Sequence, residues 1–218
     1  MVKNKLFRNK ALAFFESIYG ALQIYKLHNI YLKRKDKSNK YYMSNAYEFK
    51  IIERFDDTID KQLQSIISEF NGIVLRNHIH LNWKYVDQPH VNYIRYVVKK
   101  GGKILGYLII RKGGPLESNV GIISDMLIPL DEEVIGNTLS FAVNLLKSED
   151  VDEIQIATSL DKYQKVLEKL GFVKYGKTNP QCFSNNVDKD NILTDNWFFS
   201  KSDHDWDQYP NARYSFYY

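Results

Sequence analysis

The run "VGIISDMLI", residues 120–128, sets a single carboxylate inside an apolar stretch. An acid placed there has to be hydrogen-bonded, exposed at a cleft, or shifted in its proton affinity. Asp125 therefore has two readings. It is a general base able to take a proton from an amine, or a hydrogen-bonded acid that organises a strand end. Asp203, His204 and Asp205 have the residue types of a metal site. Alternation along a strand would turn the two acids to one face and the histidine to the other, so no metal is expected. His78 and His80 in "HIH" suit a helix surface or packing better than a ligand set. The terminal "YPNARYSFYY" could stack on sugars or bases, or dock on a core.

Composition limits what such residues can serve. The chain has 218 residues, 44% hydrophobic and 26% charged, enough for a sizeable core. Its one cysteine, Cys182, cannot form an internal disulfide, and no apolar run approaches the roughly 18 residues of a membrane span. No cleavable leader is apparent. A soluble, cytoplasmic protein is expected.

The net charge of +4 is unevenly spread. Residues 1–40 hold ten Lys or Arg against two acids, so this arm carries +8 and residues 41–218 carry −4. That division argues against a nucleic-acid partner.

The arm also has a pattern. Phe7, Ala11, Phe14, Phe15, Ile18, Leu22 and Tyr25 fall on one stripe of a long helix. A stripe this apolar needs cover, by the main domain or by a second copy in a homodimer; a membrane surface is the less favoured partner. The polar "KRKDKSNK" then reads as a linker, giving a boundary near residue 40.

From residue 41 onward strands and helices alternate. "YEFKIIERF" reads as a strand, "TIDKQLQSIISEF" as a helix and "NHIHLNWKYV" as a short helix. "NYIRYVVKK" and "KILGYLIIR" form a hairpin across Gly101 and Gly102, and "VGIISDMLI" adds a third strand. A helix carrying Ile135, Leu139, Ala142, Val143 and Leu146 follows, and then the strand "EIQIAT". Next comes a helix carrying Leu160, Tyr163, Leu167 and Leu170, stopped by Gly171. "NWFFSKSD" reads as a last strand. The order gives an α+β domain with helices packed on a mixed, mostly antiparallel sheet.

This order, with the helix closing on "LEKLGF", resembles the GNAT acyltransferase superfamily. A nearer likeness is to the GNAT-like proteins of surface-polysaccharide biosynthesis, carried by "NWKYVDQP" (Trp83, Lys84, Tyr85, Pro89) and "NWFFSKSDHDWD" (Trp197, Asp203, Asp205, Trp206). It covers about residues 47–207.

The resemblance implies an acyl-CoA-dependent N-acyltransferase, with acetyl-CoA or another acyl-CoA as co-substrate and an amine acceptor such as an amino sugar of a surface polysaccharide. Met126, Leu127 and Ile128 would line the pantetheine arm, and Gly136, Asn137 and Thr138 would lie near the pyrophosphate. The phosphate loop of the superfamily begins with Gln or Arg, where this chain has Glu133. Where many members have a tyrosine before "eklGF", this chain has Leu167; Tyr163, one turn away, is the phenol that could protonate the leaving thiolate. Two alternatives stand beside the enzyme: a GNAT-fold module that binds or dimerises without turnover, and a FemABX-like aminoacyltransferase.

Overall fold

The computed structural model describes residues 44–113, 119–174, 197–203 and 207. The expected N-terminal helix and its linker lie outside these residues, as do Cys182, His204, Asp205, Trp206 and the aromatic tail.

The elements run β1 (Tyr47–Ile51), α1 (Thr58–Ile67), β2 (Gly72–Ile73), α2 (His78–Tyr85), β3 (Ile94–Lys100) and β4 (Lys103–Lys112). They continue with β5 (Val120–Leu127), α3 (Glu132–Ser148), β6 (Glu153–Ile156), α4 (Asp161–Lys169) and β7 (Trp197–Phe198), and end in a 3-10 turn, Lys201–Asp203. Five strands form one sheet in the order β1-β3-β4-β5-β6. The first three pairings are antiparallel and β5 with β6 is parallel. This is the expected α+β architecture. Among the described residues no helix is long and apolar enough to cross a membrane.

Apolar periodicity docks the helices. Ile59, Leu63 and Ile66 bury one face of α1, and Phe55 just before it meets the Tyr107 ring of β4 edge-on at 5.8 Å. Asn82 fastens α2 to the same loop, because its side chain accepts from Phe55 N and donates to Phe55 O, both at 2.8 Å. On α3 the buried stripe includes Ile135, Leu139, Ala142 and Leu146. Phe141, also on α3, stacks on Phe49 of β1 at 4.0 Å. α4 stops as its sequence suggests. Gly171 takes φ +88°, and Phe172 N and Gly171 N reach back to Leu167 O and Glu168 O.

The expected closing strand is a correction. Only Trp197–Phe198 is a strand, and it pairs in parallel with β2, which periodicity did not predict. One antiparallel bridge, Thr158↔Ser200, comes next before the chain turns. The polar side chains cause the turn: Asp203 accepts from Ser200 N at 2.8 Å, a local bond that competes with a ladder.

β4 and β5 can approach closely because position 106 lacks a side chain. A Cβ there would stand 2.0 Å from Leu127 O, a backbone atom. Gly106→Ala should therefore cost about 1–3 kcal/mol, the usual range for forced overpacking. Urea unfolding checks this; an unchanged midpoint would show that the β4–β5 spacing is not under this constraint.

Candidate functional site

The sheet opens between β5 and β6. Their parallel ladder runs from Val120↔Glu153 to Ile123↔Ile156 and then stops. At the same level β5 carries one extra residue against β4, since Ile109 pairs with Asp125 and Ile110 with Ile123. Ser124 is the bulged residue, and a bulge bends its strand and re-aims the side chains beside it. Beyond it residues 124–127 have no β6 partner. Ser124, Asp125 and Met126 face Ala157, Thr158 and Tyr163 across a gap that Phe198 and Ser200 also line, with room for about one water.

Side chains satisfy the backbone at this gap. Met126 N donates to Asp125 Oδ1 at 3.0 Å. The Tyr163 hydroxyl lies 3.4 Å from Met126 O and 3.5 Å from Ile128 O, long for an O–H donor. Burial pushes the Tyr163 phenol above its ordinary value, so it stays protonated at neutral pH.

Behind the gap lies a buried polar cluster centred on Asp125. Its Oδ2 accepts from Tyr85 Oη at 2.7 Å and Tyr107 Oη at 2.8 Å. Arg76 Nε lies 3.0 Å from the same oxygen, an ion pair whose N–H is not aligned for a hydrogen bond. Arg76 also donates from Nη2 to both oxygens of Asp203 at 2.7 Å. Tyr85, whose proton goes to Asp125, accepts from Ser202 Oγ at 2.6 Å. Lys84 Nζ donates to Ser202 O.

Burial opposes the Arg76 charge, but Asp125 and Asp203 outweigh it and hold the guanidinium well above its usual value. Burial first, and the Asp125 charge second, push the Tyr85 and Tyr107 phenols well up. Lys84 is lowered, chiefly by burial. A second buried carboxylate, Asp207, accepts from Tyr93 at 2.9 Å and from Ser124 at 3.0 Å, with Arg111 Nε 3.4 Å away.

Asp125 is thus at the gap, but its oxygens already have four polar partners. Tyr163 is on the other wall, and Met126 forms part of the gap lining. Leu127 and Ile128 are fully buried. Gly136, Asn137 and Thr138 are buried in the first turns of α3: Asn137 accepts from Ser44 N at 2.9 Å and donates to Glu133 O at 2.8 Å, and Thr138 donates to Val134 O at 2.8 Å. Two of the free N–H groups at the start of α3 are taken by Asp131 Oδ1, which accepts from Glu133 N at 2.9 Å and Val134 N at 3.1 Å. Glu132 pairs with Lys169, and Glu133 with Lys100.

Arg76 escaped the sequence reading, since it stands outside any motif in an irregular stretch. The need of a buried Asp125 for a cation was the available signal. Of the Asp203, His204 and Asp205 group only Asp203 is described, and it is bound to Arg76. Among the described residues no group of three or more His, Cys, Asp or Glu is placed to hold a metal ion.

No protein-family model matches the chain, and no curated protein does. Among solved structures it is similar to an aminoglycoside acetyltransferase, meta-AAC0020, from an uncultured soil metagenomic sample in complex with trehalose. The TM-score is 0.42 and the identity 16%, over 66% of this chain and 99% of that one. It is also similar to a point mutant of TTHA1254 from Thermus thermophilus, at TM-score 0.43 and 13% identity over 64% and 99% of the two chains. A tandem GNAT protein from the clavulanic acid biosynthesis pathway matches at TM-score 0.37 and 17% identity, over 51% of this chain and 35% of that one. At these values the chemistry has to be argued from this chain's own residues.

The buried phenols make a pH prediction. Tyr85, Tyr93, Tyr107 and Tyr163 all have folded values raised above 10.0. Their contribution is complete below the unfolded value near 10 and drains above it, because the unfolded chain then binds fewer protons. Each phenol should remove about 1.4 kcal/mol per pH unit. Lys84, shifted the other way, offsets part of this only below its unfolded value of 10.5. Denaturant unfolding from pH 8 to 11 should give a plateau and then a steep fall beyond 10. A flat profile to pH 11 would mean that these phenols ionise in the folded protein.

Proposed function

We propose that the chain is an acyl-CoA-dependent N-acyltransferase, most simply an acetyltransferase, acting on a small amine. The observation that carries this reading is the β5 edge beyond Ile123↔Ile156, where the strand has lost its β6 partner and side chains satisfy its backbone. Such an edge suits a pantetheine arm, whose amides can pair with it as an added strand would. The long contacts of Tyr163 are the ones such an arm would replace. The acyl-CoA supplies the thioester; this chain's residues hold it and handle the protons.

In this reading Met126, Leu127 and Ile128 flank the arm. Met126 N–H, the donor held on Asp125, is the candidate to stabilise the oxyanion as the amine attacks the thioester carbonyl. The C–N bond forms, the C–S bond breaks, the departing thiolate takes the Tyr163 proton, and the phenolate left behind recovers one from the nitrogen as it becomes an amide. Asp125 Oδ1 holds Met126 N–H until the thioester oxygen takes its place, while Arg76 and two phenols occupy the other oxygen. An amino sugar of a surface polysaccharide as the acceptor rests on the likeness of "NWKYVDQP" and "NWFFSKSDHDWD" alone.

One observation favours a second reading, a GNAT-fold module without turnover. Gly136, Asn137 and Thr138 would lie near a pyrophosphate only at the start of α3, where a carboxylate, Asp131, already takes two of the N–H groups and Glu132 and Glu133 add negative charge. An anion binding there has to displace that cap.

Calorimetric titration with acetyl-CoA separates the two. Binding with a measurable heat is expected of the enzyme, and absence of binding would leave the module. If binding is found, Tyr163→Phe should keep most of the affinity and lower acyl transfer to a panel of amines by about 10²–10⁴. Stability should fall by only about 1 kcal/mol, the worth of a typical hydrogen bond. Unchanged transfer in that variant would remove Tyr163 as the acid.

A further inference from the structure

α2 is apolar on two sides. Leu81 and Tyr85 enter the core, whereas Ile79 and Trp83, four residues apart and so neighbours on the helix surface, are 66% and 56% exposed. Leu75 and Val74, 62% and 38% exposed, lead into the helix. Four large apolar side chains exposed within residues 74–83 are more than scattered surface hydrophobicity.

The surroundings are acidic. Asp60 binds His78 through its ring at 2.6 Å and its backbone N at 2.7 Å, which sets the start of α1 beside Ile79. Asp56 and Asp57 stand exposed just before α1, and Asp87, just after α2, is paired with Arg54 at 2.8 Å. The one stretch of the chain with the complementary character is residues 1–40, which carry +8 and a stripe of seven apolar residues.

We propose that this stripe, with Phe14, Phe15, Ile18 and Leu22 at its centre, seats on Val74, Leu75, Ile79 and Trp83 of the same chain. The basic residues beside the stripe then face Asp56 and Asp57. Reach is sufficient. The described chain begins at Ser44, whose N–H is held by Asn137. The 18 residues from 26 to 43 can span up to about 60 Å when extended, against a domain about 40 Å across.

Disulfide trapping tests the placement. In a Cys182→Ser background, Phe14→Cys with Ile79→Cys is oxidised in dilute full-length protein, beside a control pair, Phe14→Cys with Lys103→Cys at the hairpin tip. The expected product is an intramolecular disulfide forming about tenfold or more faster than in the control, as a high local concentration requires. Equal rates, or cross-links only between chains, overturn the proposal. A second test uses Trp83→Glu, an exposed position outside the core. Tryptic cleavage within residues 1–40 should speed up by about tenfold as the arm opens; cleavage at the original rate overturns the proposal. If the unaltered chain sediments with anionic vesicles and Trp83→Glu leaves that unchanged, the stripe is covered by lipid and the proposal also fails.

Discussion

Burying the Arg76 guanidinium beside Asp125 is the constraint on which the rest depends. Both side chains are essentially out of water, 1% exposed each, and a buried charge without a partner costs several kcal/mol. The partners come from four elements: Tyr85 from α2, Tyr107 from β4, Asp125 from β5, and Ser202 and Asp203 from the 3-10 turn. Each polar group has a bond only in one relative placement of these elements. Apolar packing alone would tolerate small slips; a network of fixed directions does not. Asp207, held by Tyr93, Ser124 and Arg111, repeats the arrangement next to the bulge.

The same constraint shapes the edge of β5. Asp125 can meet Arg76 on one oxygen and hold Met126 N on the other, and the Ser124 bulge alters the strand's alignment immediately before it. With β6 diverging, the backbone past the bulge is left to side chains. That is an arrangement a ligand can enter by exchanging hydrogen bonds rather than breaking a ladder. Under the proposed function, Asp125 would serve stability and chemistry together.

Most of the fold was legible in the sequence because its elements have strong periods. The hairpin through Gly101 and Gly102, the apolar faces of α1 and α3, and the Gly171 stop arise from residue types at fixed spacing. β2 was not, since a two-residue strand has no period, and it exists only because Trp197 and Phe198 return to it over a long stretch of chain. "NWFFSKSD" misled because its alternation suits a strand while Ser200 and Asp203 prefer to bond locally. The site was half legible. An acid within "VGIISDMLI" pointed to the buried polar cluster, but its partners are spread from residue 76 to residue 203. Lys84 and Tyr85 of "NWKYVDQP" and Ser202 and Asp203 of "NWFFSKSD" meet around Asp125 only in three dimensions.

The most direct measurement of this account is a double-mutant cycle on Arg76→Met and Asp125→Asn, read by urea unfolding. Arg76→Met should cost about 3–5 kcal/mol, because it strands two buried carboxylates, and Asp125→Asn about 1.5–3 kcal/mol, because Arg76 keeps Asp203. The double variant should cost less than the sum by at least about 1 kcal/mol, since Asp203 alone is then left without its cation. Additivity within about 0.5 kcal/mol would contradict the account: the pair would then be two independent residues, and the arrangement around the gap would owe its geometry to something else.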